Sequence, residues 1–176
     1  MEDLIDQFNK SEVRYLLIGG QAMRLVGMPR FSMDWDFFVP ANDMANFDKL
    51  NNILGDELRE DIIPLSPTGE GFIQTFQTLN GIIQFHLLLP GIKSFDEAEK
   101  REFTIEGKKG IATKCLCAED LLATKQAASR PQDQQDIEFL IEKLKQSNSS
   151  TWSAIFTLVT VICLLMTLNS NLAPRT

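Results

Sequence analysis

The chain has 176 residues, of which 44% are hydrophobic and 23% are charged, as in one globular domain with a short appendage. Its net charge of −7 disfavours a broad nucleic-acid surface, because an acidic protein repels a polyanion at long range. An odd cysteine count in a chain of this size disfavours a disulfide framework. Residues 1–10 are polar and acidic, unlike a signal peptide, so we expect a cytoplasmic protein.

The order of hydrophobic patterns along the chain predicts an α/β domain that ends near residue 146. In the first third of the chain we expect helices over Glu2–Asn9 and Gln21–Val26, strands over Val13–Ile18 and Asp34–Val39, and a helix that runs from an Asn42 cap to Leu54 with Met44 inward. The middle of the chain should form a hairpin of Phe72–Leu79 and Ile82–Leu89 around Asn80-Gly81, a helical turn at Phe95–Lys100, and a hairpin of Phe103–Ile105 and Gly110–Ala112. Two helices, over Ala118–Ala128 and Gln132–Lys145, should complete the domain.

A Gly19-Gly20 turn follows the first predicted strand and opens the next helix. Glycine lets the backbone approach an anion closely, so such a turn can hold nucleotide phosphates. The alternative is an ordinary connection between a strand and a helix.

Two carboxylates, Asp34 and Asp36, stand two residues apart at the start of the second strand. Residues at this spacing face the same side of a strand, while Trp35 and Phe37 face the other layer. Two neighbouring carboxylates repel each other unless a cation lies between them, and Mg²⁺ favours such oxygen ligands. The alternative is a pair of solvated acids at an exposed edge.

Together these motifs give the sequence "YLLIGGQAMRLVGMPRFSMDWDFFV" at Tyr15–Val39. It resembles the nucleotidyltransferase superfamily, and it looks like the small bacterial members related to AbiEii-type toxins. The later sequence "AEDLLATKQAASRPQDQQDIEFL" at Ala118–Leu140 resembles the same group. The resemblance implies a minimal nucleotidyltransferase fold, in which a mixed sheet is flanked by helices.

The resemblance also implies a role for particular residues. Gly19 and Gly20 would hold the nucleotide phosphates, with Arg30 and Ser32 close to them. Asp34 and Asp36 would bind one or two Mg²⁺ ions. Lys125 would face the site as a catalytic and nucleotide-binding residue, and Asp133 or Asp136 would be the acidic residue that follows it. Without the resemblance, Lys125 is an ordinary helix lysine, and Arg130, Asp133 and Asp136 form a charge cluster at the start of a helix.

The resemblance departs from the family pattern at a third acidic position, on the strand Ile82–Leu89. The matching residue is His86, the only histidine in the chain. A neutral imidazole can bind a metal or act as a base, but it suits Mn²⁺ or Zn²⁺ better than Mg²⁺. We therefore assign His86 as a third metal ligand and catalytic residue. The alternative is a strand histidine in a protein that has lost catalysis.

The composition changes after the domain. A polar linker over residues 147–151 leads to Trp152–Leu168, which contains no charged residue, and to a polar end at 169–176. As a helix, the apolar segment would be about 25 Å long, which barely spans a membrane. We expect this hydrophobic helix to anchor the protein at the inner face of the membrane, the alternative being that it packs on protein.

The sequence thus predicts a metal-dependent enzyme that moves a nucleoside monophosphate from a nucleoside triphosphate (NTP) to a hydroxyl of RNA or protein. Its cofactor would be Mg²⁺ or Mn²⁺, and an antitoxin would be a partner if it acts as a toxin. The alternative hypothesis is a catalytically degenerate module that binds a nucleotide or a partner protein.

Overall fold

The computed structural model describes residues 1–79, 81–107 and 109–147. Within them the helices are α1 (Glu2–Lys10), α2 (Gly19–Leu25), α3 (Met44–Leu54), α4 (Phe95–Glu99), α5 (Ala118–Ala128) and α6 (134–147), with a 3-10 turn at Pro131–Asp133. The strands are β1 (Leu16–Ile18), β2 (Trp35–Phe38), β3 (Ile73–Thr78), β4 (Gly81–His86), β5 (Phe103–Glu106) and β6 (Ala112–Cys115).

The strands form one mixed sheet in the order β3-β4-β2-β1-β6-β5. β1 is antiparallel to β2 and parallel to β6, while β2 runs parallel to β4. The register places Ile18 opposite Asp36, and Phe38 opposite His86. The end of β1 therefore meets the start of β2, while Gln84 lies opposite Asp36 and His86 lies two residues farther along β4.

The core lies under one face of the central strands. Phe8 of α1, Tyr15 and Phe37 contact one another with ring centroids 5.6–5.7 Å apart, and Phe37 stacks on Phe85 at 5.9 Å. Fully burying an aromatic side chain of this kind contributes about 1.5–3 kcal/mol. The core fixes which face of β2 and β4 points away from it, and that outer face bears the polar residues.

The expected elements are present, with several changes at their ends. The last strand runs over Ala112–Cys115 and not over the predicted Gly110–Ala112. The chain becomes helical at Gly19 rather than Gln21. Asp43, not Asn42, caps α3, because its side chain accepts a hydrogen bond from the Asn46 amide. The inward prediction for Met44 is wrong: its side chain is 56% exposed, because the first turn of α3 extends past the edge of the core. Cys115 ends β6 and is buried, and this burial raises the pKa of its thiol to about 12.

The predicted hydrophobic helix at 152–168 and the polar end at 169–176 lie outside the described residues. Within the described residues 1–79, 81–107 and 109–147, no helix is long and apolar enough to cross a membrane.

Candidate active site

A cleft of about 450 Å³ opens at the outer face of the sheet, where β1, β2 and β4 meet α5. Eight residues that the sequence predicted for the site line this cleft, namely Gly19, Gly20, Arg30, Ser32, Asp34, Asp36, His86 and Lys125. Of the two alternatives for the acidic residue after Lys125, Asp133 lines the cleft and Asp136 does not. These side chains come from distant parts of the chain, so the fold brings the two matching sequence blocks to one place.

The two glycines leave room for the polar residues above them. Gly19 has a φ of +64°, and a Cβ added there would lie 2.2 Å from Asp36 Oδ2. A Cβ on Gly20 would lie 2.4 Å from Ser32 Oγ. Real Cβ atoms do not tolerate such distances, so only glycine at both positions allows Asp36 and Ser32 to occupy their present places.

The acidic pair has the predicted orientation. Asp34 and Asp36 both line the cleft, whereas Phe37 is fully buried on the opposite face and Trp35 packs against the core there. Asp36 is only 16% exposed. The carboxylate of Asp34 makes no hydrogen bond or ion pair with another described residue, so its oxygens are available to a ligand in the cleft.

His86 lies beside this pair. Its Nε2 is 3.2 Å from Asp36 Oδ1, and its side chain is 15% exposed. β2 and β4 are parallel neighbours, and the register that pairs Phe38 with His86 brings the imidazole onto the face that bears Asp36. The structure therefore places His86 in direct contact with Asp36 at the cleft, and its part in the site stays a prediction.

Gln21 holds the segment that carries Arg30, Ser32 and Asp34. The segment has no regular secondary structure between residues 28 and 34. Gln21 is buried in α2 and donates through Nε2 to the Ser32 carbonyl at 2.9 Å. The sequence did not predict a role for Gln21, because nothing about a glutamine in a short amphipathic helix indicates which loop its side chain will contact.

Lys125 is buried, contrary to the expectation for an ordinary helix lysine. Its Nζ lies 3.0 Å from Asp133 and 2.5 Å from Asp136, and all three side chains are at most 6% exposed. Asp133 also pairs with Arg130 at 2.6 Å, and Asp136 pairs with Arg30. Three cations thus share two buried carboxylates, which leaves one net positive charge at the wall of the cleft.

The charge state of this cluster, defined as Arg30, Lys125, Arg130, Asp133 and Asp136, follows from its contacts. Burial raises the pKa of the Asp133 carboxyl, but the hydrogen bonds from Arg130 and Lys125 outweigh burial. The pKa of Asp133 therefore lies below its ordinary value, and the carboxylate stays ionised beside its cations. The cluster is preformed and does not need a ligand to hold its cations in place.

The donor set fits a hard divalent cation that is completed by its substrate. No group of three metal-ligating side chains stands ready in the described ranges. Mg²⁺ commonly uses one or two carboxylates and takes its other ligands from water and phosphate. Asp34 and Asp36 meet that requirement, and His86 is close enough to Asp36 to share an ion with it.

Comparisons with known proteins agree on the fold. No family model matches the chain, and no curated protein matches it. Among solved structures, it is similar to a Thermotoga maritima protein whose designation as a nucleotidyltransferase is provisional, with 15% identity over 82% of this chain and 89% of that one and a TM-score of 0.54. It is also similar to the antibiotic-resistance factor ANT(2″)-Ia, with 13% identity over 94% of both chains and a TM-score of 0.52. The chain therefore has the nucleotidyltransferase fold.

Proposed function

We propose that this protein is a divalent-metal-dependent nucleotidyltransferase, which transfers a nucleoside monophosphate from an NTP to a hydroxyl group and releases pyrophosphate. The proposal rests above all on the contact between the glycine turn and the acidic pair. Gly19 lies directly below the Asp36 carboxylate, so a phosphate bound against the turn would be adjacent to any cation on Asp36. The shared fold supports the same reaction class.

In this proposal, Asp34 and Asp36 hold the metal, which would be Mg²⁺ or Mn²⁺. When bound, the metal neutralises charge on the phosphates and on the leaving pyrophosphate. The glycine turn and Ser32 orient the triphosphate, because they line the cleft beside the acidic pair. Arg30, Lys125 and Arg130 add positive charge on the side of α5, where the leaving group would accumulate negative charge.

His86 would take the place of the third carboxylate. It lies within hydrogen-bond distance of Asp36, and an imidazole in this place could act as the general base toward the attacking hydroxyl. Positioning and charge neutralisation supply most of the catalysis of nucleotidyl and phosphoryl transfer, so a weaker base does not by itself abolish it.

We further propose that the protein is of the AbiEii-related toxin type. Lys125 and the acidic residues after it support this assignment, because Asp133 and Asp136 both contact the lysine that the resemblance singled out. A bacterial target and an antitoxin partner would follow from it.

The rival function is a degenerate module that binds an NTP without transferring it. His86 in place of a carboxylate favours this rival, whereas the intact glycine turn and acidic pair favour the enzyme.

Incubation with each NTP labelled at the α-phosphate, a cell extract and Mg²⁺ or Mn²⁺ separates the two functions. The enzyme transfers label to a macromolecule and forms pyrophosphate, and Asp36→Asn abolishes both. Binding of NTP without label transfer under any metal would establish the degenerate module instead.

A further inference from the structure

The cleft has a charged half and an uncharged half. The cluster around Lys125 and the acidic pair make up the charged half. The opposite half is formed by residues from β3 and the end of β4, including Phe72, Ile73 and Leu88, which are 41–47% exposed. From Gly71 to Ile92 the sequence contains no lysine, arginine, aspartate or glutamate. An RNA acceptor would need phosphate-binding cations on this side, and the stretch supplies none.

Strand β3 forms one edge of the sheet, and the backbone groups in its middle are open to a partner. The segment 57–63 contacts the two ends of this edge, through the Gln74 side chain and through the Leu79 amide, which donates to Glu57. The Leu87 amide donates to the Phe72 carbonyl at 2.7 Å, so these two residues form a hydrogen-bonded pair of the antiparallel ladder. Along β3, every second residue after Phe72 belongs to such a pair, and the residues between them do not. Ile73, Thr75 and Gln77 therefore direct their amide and carbonyl groups away from β4. Among the described residues, these outward groups make no backbone hydrogen bond.

Strand β3 also lacks the features that usually protect a sheet edge. Proteins commonly place charged residues or proline on edge strands to prevent pairing with another chain. The sequence of β3 is Ile-Gln-Thr-Phe-Gln-Thr, with neither. At the opposite edge, β5 contains Glu106 and follows Arg101 and Glu102. Strand β3 thus has no protecting residue of its own, and the charged residues beside it, Glu57, Arg59 and Glu60, lie across a groove from its middle.

A groove of about 390 Å³ runs beside this edge, between Thr75–Gln77 and the segment Glu57–Glu60. The other end of β3, at Ile73, lines the cleft itself. A strand added outside β3 lies three strand spacings, about 14 Å, from β2, and an extended chain covers that distance in roughly four to five residues. A polypeptide paired with β3 could thus reach Asp36 with the residues that follow its paired part.

We infer that, if the proposed nucleotidyl transfer is correct, its acceptor is a serine, threonine or tyrosine hydroxyl of an extended polypeptide. The polypeptide adds a strand to the outer edge of β3 and enters the cleft across Phe72 and Leu88. Its side-chain oxygen forms a bond to the α-phosphorus as the bond from that phosphorus to the β-phosphate's bridging oxygen breaks. Pyrophosphate leaves, and the hydroxyl proton passes to His86 and then to solvent.

Thr75→Pro tests the backbone pairing. Its amide points outward, so proline removes a donor that the sheet does not use, and edge strands tolerate such a proline. Thr75→Val is the matched control, because it keeps the amide and the β-branched shape. With α-labelled NTP and a cell extract, we expect Thr75→Pro to lower protein labelling about tenfold. This loss corresponds to one uncharged hydrogen bond to the polypeptide and to the steric effect of the proline ring. Thr75→Val should label normally, and both variants should bind NTP like the wild type.

A pair of charge variants distinguishes a polypeptide acceptor from RNA. Ile73→Lys and Ile73→Glu should both lower labelling of protein, because either charge disrupts the uncharged rim. An RNA acceptor would instead be labelled better by Ile73→Lys and worse by Ile73→Glu. Label in RNA, or unchanged protein labelling by Thr75→Pro, would overturn the polypeptide acceptor while leaving nucleotidyl transfer intact. Label in neither fraction with the wild type would overturn the proposed function itself.

Discussion

Gly19 is the residue that connects the backbone turn to the chemistry of the site. Two separate features require glycine there. The φ angle is positive, and a Cβ would lie 2.2 Å from the Asp36 carboxylate. Gly27 also has a positive φ, +103°, but a Cβ there would meet nothing within 4 Å. A substitution of Gly27 therefore introduces backbone strain alone, whereas a substitution of Gly19 also displaces Asp36.

Gly19→Ala should abolish metal-dependent NTP binding, because the new methyl group displaces the Asp36 carboxylate. Gly27→Ala should lower the free energy of unfolding by about 1–2 kcal/mol, the cost of a left-handed conformation for a residue with a Cβ, and leave NTP binding intact. Calorimetric titration and urea unfolding of both variants give these quantities. Wild-type affinity in Gly19→Ala would show that the turn does not position Asp36.

His86→Asp should raise the rate of nucleotidyl transfer with Mg²⁺ roughly tenfold or more, since a carboxylate is a harder ligand and a general base. Position 86 lies on the strand next to Asp36 and on the same face of the sheet, so the new carboxylate would face the metal-binding pair. His86→Asn is the control, because asparagine has the size of aspartate but no carboxylate. This variant should not gain activity. A rate in His86→Asp at or below that of the wild type would argue against a role for this position in transfer.

At the level of the secondary-structure elements, the sequence predicted the order and the inward faces better than the ends. The alternation Asp34-Trp35-Asp36-Phe37 determined which face of β2 bears the carboxylates, because a strand reverses its side chains at every residue. The start of α2 at Gly19 could not be predicted, since a glycine pair reads as a turn whether or not it is the first helical residue. The cap of α3 was one residue in error, because Asn42 and Asp43 are both suitable caps.

The end of α5 offers a test of how an element positions the site. Ser129 ends this helix in the left-handed region, with φ 50° and ψ 35°, and directly precedes Arg130 of the charged cluster. Ser129→Gly should raise the free energy of unfolding by about 1 kcal/mol, because glycine adopts this conformation without a Cβ clash. Ser129→Ala should change it by less than about 0.5 kcal/mol. Urea unfolding measures both, and a destabilised glycine variant would contradict the assigned cap conformation.

For the whole molecule, the decisive contacts join residues that are far apart in sequence. Arg30 and Asp136 are separated by 106 positions, yet they pair across the cleft wall. Periodicity and local motifs report only on neighbours along the chain, so they could not predict this pair. The resemblance placed Lys125 and the acidic residues after it near the site, but only the packing of α5 and α6 on the sheet shows that they are buried.

The charged cluster should make the stability of the whole fold depend on acid pH. The pKa of Asp133 is lower in the folded state than its ordinary value near 4, so its contribution is complete above about pH 4 and is lost as the pH falls further. Asp133→Asn should lower the free energy of unfolding at pH 7 by about 3 kcal/mol, because it leaves buried cations partly unpaired.

Urea unfolding from pH 7 to pH 2.5 compares the two proteins. The stability of the wild type should decline more steeply than that of Asp133→Asn below pH 4. Parallel curves would mean that Asp133 has the same pKa in the folded and unfolded states.

The central claim is that Asp34 and Asp36 hold a metal ion against a nucleotide on the Gly19-Gly20 turn. Calorimetric titration of each NTP into the wild type, Asp34→Asn and Asp36→Asn, with and without Mg²⁺, tests it most directly. We predict that the wild type binds NTP only with Mg²⁺, and that either substitution weakens binding about tenfold or more while the circular dichroism spectrum is unchanged. Equal affinity in all three proteins, or binding that does not depend on the metal, would contradict the claim.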